Sequence, residues 1–149
     1  MIIRQFKTSE ASEVSELIKN SVLNRDNSEY NVKQINSLAN HYSPQEIGSD
    51  FRNKSIYVCV INEKIVGTAT LRIDEVMAVF VHPDYRMRGI GSSLMEVVEK
   101  KALENGIFRV WLVSGLSSVL FYKKRRYIVF SDKIHPEWGR GVIMEKVFQ

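Results

Sequence analysis

The chain has 149 residues, 44% of them hydrophobic, with a formal charge of +4 and a pI near 9.2. That length predicts one domain, residues 1–149, with enough apolar material for a real core. The composition excludes a membrane-spanning run of about 18 apolar residues, residues 1–4 do not open a signal peptide, and a lone Cys59 excludes an internal disulfide or a cysteine metal cluster. Together these features predict a cytoplasmic protein. The positive charge fits either a nucleic-acid partner or an anionic cofactor.

In chain order, residues 2–6 read as a short strand. Thr8 and Ser9 are N-cap candidates for a helix over residues 9–23, where Val14, Leu17, Ile18 and Val22 repeat at helical spacing. Residues 24–29 are polar and read as a loop. Ile35, Leu38 and Ala39 mark a helix over residues 32–41, and Ser43-Pro44 restarts one with proline in its first turn. Residues 55–61 are strongly strand-like, Asn62-Glu63-Lys64 is a hairpin turn, and residues 65–73 return. Asp74-Glu75 turns again into a strand over residues 76–82. A long helix follows over residues 89–104, stopped by Asn105-Gly106. Residues 108–113 form the next strand. A strand–helix–strand crossover predicts that it lies parallel to the strand ending at His82. A shorter helix over residues 117–125 precedes a final hairpin, 127–130 with 141–148, across a loop holding His135 and Trp138.

The most informative stretch runs from Val79 to Met95. A β-branched strand stops at His82-Pro83, a turn carries Arg86 and Arg88, and Gly89-Ile90-Gly91-Ser92 opens a helix. A helix start leaves its first N–H groups unpaired and slightly positive, glycine lets an anion approach closely, and arginine adds full charge. These features predict a phosphate or pyrophosphate site. A dinucleotide fold would need a third glycine where Leu94 stands, and a P-loop would need a lysine before Ser92.

Arg86-x-x-Gly89-x-Gly91 after a strand ending in His-Pro resembles the acetyl-CoA signature of the GNAT N-acetyltransferases. The order of elements resembles that family from end to end. The resemblance implies an α/β (α+β) fold: a mixed, mostly antiparallel sheet of about seven strands with helices on both faces, splayed at strands four and five. It implies acetyl-CoA in that gap as acyl donor. The backbone of Phe80 and Val81 would meet the pantetheine arm. The loop Arg86, Met87, Arg88, Gly89, Ile90, Gly91 and Ser92 would hold the pyrophosphate. It also implies acetyl transfer to a primary amine of a small-molecule or peptide acceptor. Glu75, eleven residues before Arg86, stands where the histone-acetylating branch places its general base. Tyr122, in Phe121-Tyr122, matches the tyrosine that protonates the departing thiolate.

Blander readings stand beside these. Asp74-Glu75 reads equally as a solvated turn, Tyr122 as a tyrosine packed at a helix end, and Lys123-Lys124-Arg125-Arg126 as a solvated face rather than a 3′-phosphate contact. The family pattern Asn-x-x-Ala-x-x-Phe-Tyr-x-x-x-Gly-Phe meets Gly115, Ser118 and Arg126 where it has Asn, Ala and Gly. Those departures keep a non-catalytic acyl-CoA-binding module in view. A nucleic-acid-binding protein is a weaker rival, since no aromatic–basic interleaving is present. His82 reads as structural, and His41 and His135 stand apart from any ligand set, so no metal is expected. Tyr30, Tyr42 and Trp138 are candidates for an acceptor pocket. The acceptor's identity stays open here, as does a homodimer.

Overall fold

The computed structural model describes residues 1–23, 31–49, 51–135 and 139–148, with the backbone alone for Phe51, residues 133–135 and residues 139–140. The expected loop at 24–29, Tyr30 and Trp138 lie outside the described residues. The elements are β1 (Ile2–Gln5), α1 (Ala11–Leu23), α2 (Val32–His41), α3 (Pro44–Gly48), β2 (Lys54–Ile61), β3 (Lys64–Arg72) and β4 (Glu75–Val81). They continue as α4 (Ile90–Glu104), β5 (Arg109–Ser114), α5 (Val119–Lys124), β6 (Ile128–His135) and β7 (Gly139–Val147).

The strands form one seven-stranded sheet in the order β1-β2-β3-β4-β5-β7-β6. β4 and β5 are parallel, as a crossover through α4 requires; the other neighbouring pairs are antiparallel. The last strand does not stay at the edge: β7 inserts between β5 and β6. β6 also runs further than its apolar residues suggest. Its pairing with β7 continues from Ile128↔Glu145 to His135↔Gly139, so partner hydrogen bonds carry the polar part of the strand.

Both faces of the sheet around β2 and β3 are covered, which explains their continuous apolar runs. Tyr57 and Cys59 of β2 face α4, where they pack with Leu94, Met95 and Val98. Ile56 and Val58 face the other way, against Val14 and Ile18 of α1. Burial pushes the Cys59 thiol upward, consistent with an inert core cysteine. No described helix is long and apolar enough to cross a membrane.

Two hairpin turns set the register that matters for the site. Asn62 and Glu63 both take positive φ (50° and 66°), the two-residue turn that matches strand twist. The second turn lies one residue earlier than expected. Ile73 adopts φ 59°, Ile73-Asp74 form the tip, and Glu75 already pairs with Arg72 as the first residue of β4.

Gly67 fixes how closely α4 lies on the sheet. A Cβ there would stand 3.0 Å from both Ile90 Cγ2 and Leu94 Cδ1. Both neighbours are fully buried, so neither has free space to move into. Gly67→Ala is expected to lower unfolding free energy by about 1–3 kcal/mol in urea titrations; an unchanged midpoint would show that the packing is looser than these distances imply.

Candidate active site

β4 and β5 are joined at one place. Glu75 pairs with Trp111, and the Trp111 backbone N–H donates to the Asp74 carbonyl at 3.1 Å. The Trp111 indole Nε1–H also donates to Asp74 Oδ1 at 3.2 Å. Asp74 is thus occupied in fastening the two strands. Beyond this pin β5 keeps full pairing with β7, from Arg109 to Ser114, while β4 follows β3. The strands diverge, and the outer edge of β4 faces a gap.

A cavity of about 350 Å³ occupies that region. Val79, Phe80, Val81 and Arg86 line it on the β4 side, Ser117 and Ser118 on the turn after β5, and Ser21 on α1. The ladder phase decides which β4 peptide groups are available. His82 N–H donates to Val66 C=O at 2.8 Å, so the Phe80 backbone is turned toward Thr68 in β3 and the Val81 backbone toward the gap. The family resemblance implies that both backbones meet a pantetheine arm; the register turns them to opposite sides of β4.

The start of β4 lies in a second cavity of about 340 Å³ beneath α1, α2 and α3. Glu75, Met77 and Ala78 line it, together with Tyr42. A β-bulge lies between the β4 residues that line the two cavities. Phe80 is opposite Thr68 but Met77 is opposite Thr70, so Ala78 and Val79 together oppose Ala69. Ala78 takes φ 54°, an uncommon region for a residue with a Cβ, with a cost on the order of 1 kcal/mol. The bulge puts Met77 and Ala78 into the same cavity, while Val79 lines the other.

The loop after β4 is held from within. His82 Nδ1 accepts the Asp84 backbone N–H at 3.1 Å, capping the short 3-10 turn Pro83–Tyr85. Arg86 donates to the Ser21 carbonyl at 3.5 Å, near the C-terminus of α1, where a cation is favoured by the helix dipole. Ser21 Oγ in turn donates to the carbonyls of Leu17 (2.9 Å) and Val81 (3.2 Å). Arg88 stacks over the Tyr85 ring at 5.0 Å. Met87 is fully exposed with φ 65°, and Gly89 has φ 77° as the N-cap of α4. Ser93 N–H bonds Gly89 C=O, so the amides of Ile90, Gly91 and Ser92 precede the first intrahelical donor. The Ile90 side chain is buried in the core, leaving only its backbone for a ligand. The two glycines differ in purpose. Gly89 needs its positive φ; Gly91 needs its size, since a Cβ would stand 3.3 Å from Phe121 Cζ.

The acetyltransferase (GNAT) family model matches residues 21–127, about seven-tenths of the chain. The chain belongs to the GNAT acetyltransferase family. Solved structures show the same fold at low identity. A GCN5-related N-acetyltransferase from Rhodopseudomonas palustris superposes with a TM-score of 0.91 at 21% identity, covering 99% of this chain and 95% of that one. The PaiA N-acetyltransferase of Thermoplasma acidophilum, in complex with coenzyme A, gives 0.83 at 20% identity, covering 99% and 98%. The ribosomal-protein-alanine N-acetyltransferase of Brucella melitensis gives 0.76 at 15% identity, covering 99% and 100%. No curated protein matches the sequence.

Where this chain departs from the GNAT pattern, a tight turn closes α5 without a glycine. Arg126 stands in place of the pattern's glycine and adopts φ 72°. The N–H groups of Arg125 and Tyr127 both bond the Tyr122 carbonyl at 3.0 Å, closing α5. Tyr122 is 7% exposed, between the rings of Phe121 (5.0 Å) and Tyr127 (5.7 Å). Behind it lies a buried ionic cluster that sequence reasoning missed. Glu99 of α4 accepts from the Tyr127 hydroxyl (2.8 Å), Arg125 (3.1 Å) and Lys146 (3.0 Å). The basic run at 123–126 therefore does not act as one surface: Arg125 turns inward, while Lys123, Lys124 and Arg126 are exposed.

Glu99 left a signal in the sequence, a carboxylate at i+4 from Met95 and i+5 from Leu94 on an otherwise apolar helix face. Ser21 left a comparable one, a serine between Ile18 and Val22 on the buried side of α1. Nothing in the sequence singled out Ser117 and Ser118. Among the described residues no group of His, Cys, Asp or Glu is arranged to hold a metal. Tyr42 lines the cavity beneath α1, α2 and α3.

Two measurements check this region. Arg126→Gly should stabilise the protein by about 0.5–1 kcal/mol by relieving a left-handed residue; destabilisation would mean that the arginine side chain is needed there. Burial and the Glu99 charge push the Tyr127 phenol far above its ordinary range. A raised phenol pKa contributes stability that is complete below its unfolded value near 10 and is lost as pH rises above it. Unfolding free energy should thus fall above about pH 10, and Tyr127→Phe should remove that part of the slope.

Proposed function

We propose that the protein is an acetyl-CoA-dependent N-acetyltransferase acting on a primary amine. The observation that carries this reading is the gap between β4 and β5, pinned at Trp111 and running into the amide-rich start of α4. The Val81 backbone faces the gap and suits an extended amide-bearing arm. Met87 to Ser92, with Arg86 and Arg88, suit a pyrophosphate. Bound acetyl-CoA supplies an activated thioester carbonyl; the chain's own residues must orient it, deprotonate the amine and help the sulfur leave.

The amine enters from the cavity beneath α1–α3 and meets the thioester at the Ala78–Val79 bulge. A lysine-like amine has a pKa near 10.4, so removing its proton at pH 7 costs roughly 4.6 kcal/mol. Glu75 lines the acceptor cavity, three residues along β4 from Ala78, about 10 Å at strand spacing. That distance suits a base working through water. Attack forms the C–N bond and breaks the C–S bond, and the amine proton leaves toward Glu75. Tyr122 then serves the sulfur. A phenol of pKa near 10 is protonated at neutral pH and can hydrogen-bond a thiolate of pKa near 8.5.

A binding module without catalysis is less favoured, because Arg126 preserves the turn that the pattern's glycine would make. A nucleic-acid surface is less favoured because Arg125 of the basic run is spent on Glu99.

Calorimetry with acetyl-CoA should show one site, and Gly89→Asp should weaken it at least about tenfold by setting a carboxylate against the phosphates. Absence of binding in the native protein overturns the proposal. Tyr122→Phe should lower kcat by about 10²-fold or more with little change in acetyl-CoA affinity; full activity would remove Tyr122 from the mechanism.

A further inference from the structure

The two faces of the sheet are not covered over the same strands. Under α1–α3 the apolar cluster takes its buried strand residues from β2, β3 and β4. On the opposite face, that of α4 and α5, Val110 and Leu112 of β5 and Val142 and Met144 of β7 are buried. The residues that alternate with these four point to the other side. The register carries that side across three strands: Val113 is opposite Ile143, Trp111 opposite Glu145, and Glu145 opposite Ile128. The Arg109 guanidinium stands 6.0 Å from the Phe130 ring centroid, so Phe130, at the bulge in β6, shares this face. Its apolar side chains are open to solvent. Phe130 is 64% exposed, Ile128 61%, Val147 58% and Val113 41%. One exposed apolar residue needs no explanation; a contiguous group across three strands does.

We propose that this β5–β7–β6 face is the interface with a second copy of the chain, the two faces packing as a sheet sandwich about a two-fold axis. Its charges select that occupant. Arg109 Nε donates to Glu145 Oε2 at 2.6 Å, in the middle of the face. A charge left unpaired under a partner is costly; here the pair is already made, so the partner need bring no opposing charge. The chain as a whole carries +4, which opposes self-association, but this face is neutral. Under a two-fold axis the same neutral, apolar surface meets itself. Its shape agrees. Flat sheet faces bury one another about 10 Å apart with their strands within about 30°. Its composition agrees too: two aromatic residues, Trp111 and Phe130, and arginine rather than lysine as the cation, as at interface centres. At strand spacings the face spans roughly 20 by 14 Å. That is the dry centre of a standard interface of about 800 Å² per partner, with the exposed Ser131 at its polar rim. The proposal does not depend on the acetyltransferase reading.

The test is sedimentation velocity on the intact chain over about 1 to 100 µM. At the upper end the native protein should sediment with twice the mass of the 17.2-kDa chain. Phe130→Glu and Ile128→Glu should each raise the dimer Kd by about thirtyfold or more, the size of an interface hot spot. Val113→Glu, two strands in from the β6 edge, should do the same. All three positions are exposed in the single chain, so each variant should keep the native circular dichroism and a cooperative unfolding transition. Leu103→Glu, at an exposed apolar position on α4, should leave the dimer intact. A monomer throughout the concentration range overturns the proposal, and so does a dimer that survives Phe130→Glu and Val113→Glu. Weakening by Ile128→Glu and Phe130→Glu but not by Val113→Glu would place the contact along the β6 edge. Equal weakening by Leu103→Glu would make it a non-specific association. Either result also overturns the proposal.

Discussion

The site depends on β4 and β5 being held together at one end and left apart at the other. Asp74 makes this possible. Its carbonyl and its carboxylate both take hydrogen bonds from Trp111, one from the main chain and one from the indole. A fully paired β4 would spend its outer N–H and C=O groups on β5. A wholly unpaired one would leave a strand edge open to other chains. One pinned register pair, with β7 satisfying the far side of β5, yields a wedge whose inner wall is main chain. The turn at Ile73-Asp74 belongs to the same device, since moving it by one residue would carry Glu75 to the opposite face.

Backbone strain concentrates around this wedge. Ile73, Ala78, Met87 and Arg126 all take positive φ without being glycine. Such residues persist where surrounding structure over-determines them. Each has a visible restraint or consequence: Ile73 positions the pin, Ala78 makes the bulge between the two cavities, Met87 shapes the loop before α4, and Arg126 closes α5 behind Tyr122. At Arg126 the restraint is the buried cluster on Glu99, whose partners are Arg125 and Tyr127, on either side of it in the turn between α5 and β6, and Lys146 of β7. A buried carboxylate stripped of such partners is costly, so the cluster ties the α5–β6 turn and β7 to α4 as a unit. Tyr122 lies in α5, which leads into that turn.

Much of the fold was legible because its causes are local. The apolar spacing of Leu94 and Val98, the Asn62-Glu63 turn and the β4–α4–β5 crossover each follow from nearby residues. The turn into α4 was legible for the same reason, through Gly89 at its left-handed position, whereas the crowding of Gly91 by the Phe121 ring was not. What could not be read depends on distant partners. β7 lies between β5 and β6 because of pairing, not composition. The phase that turns Val81 rather than Phe80 toward the gap follows from one bond between His82 and Val66. The bulge at Ala78 and the turn at Arg126 carry no glycine to announce them. Arg125 looked like part of a surface run and is instead drawn inward by Glu99, twenty-six residues away.

The central claim is that the open edge of β4 and the first amides of α4 form one ligand surface. Residue-resolved hydrogen exchange with and without acetyl-CoA addresses it most directly. The account predicts added protection at Val81 and at Ile90, Gly91 and Ser92, with little change at Phe80, whose amide already belongs to the β3 ladder. Protection confined to other strands, or equal protection of Phe80 and Val81, would contradict it.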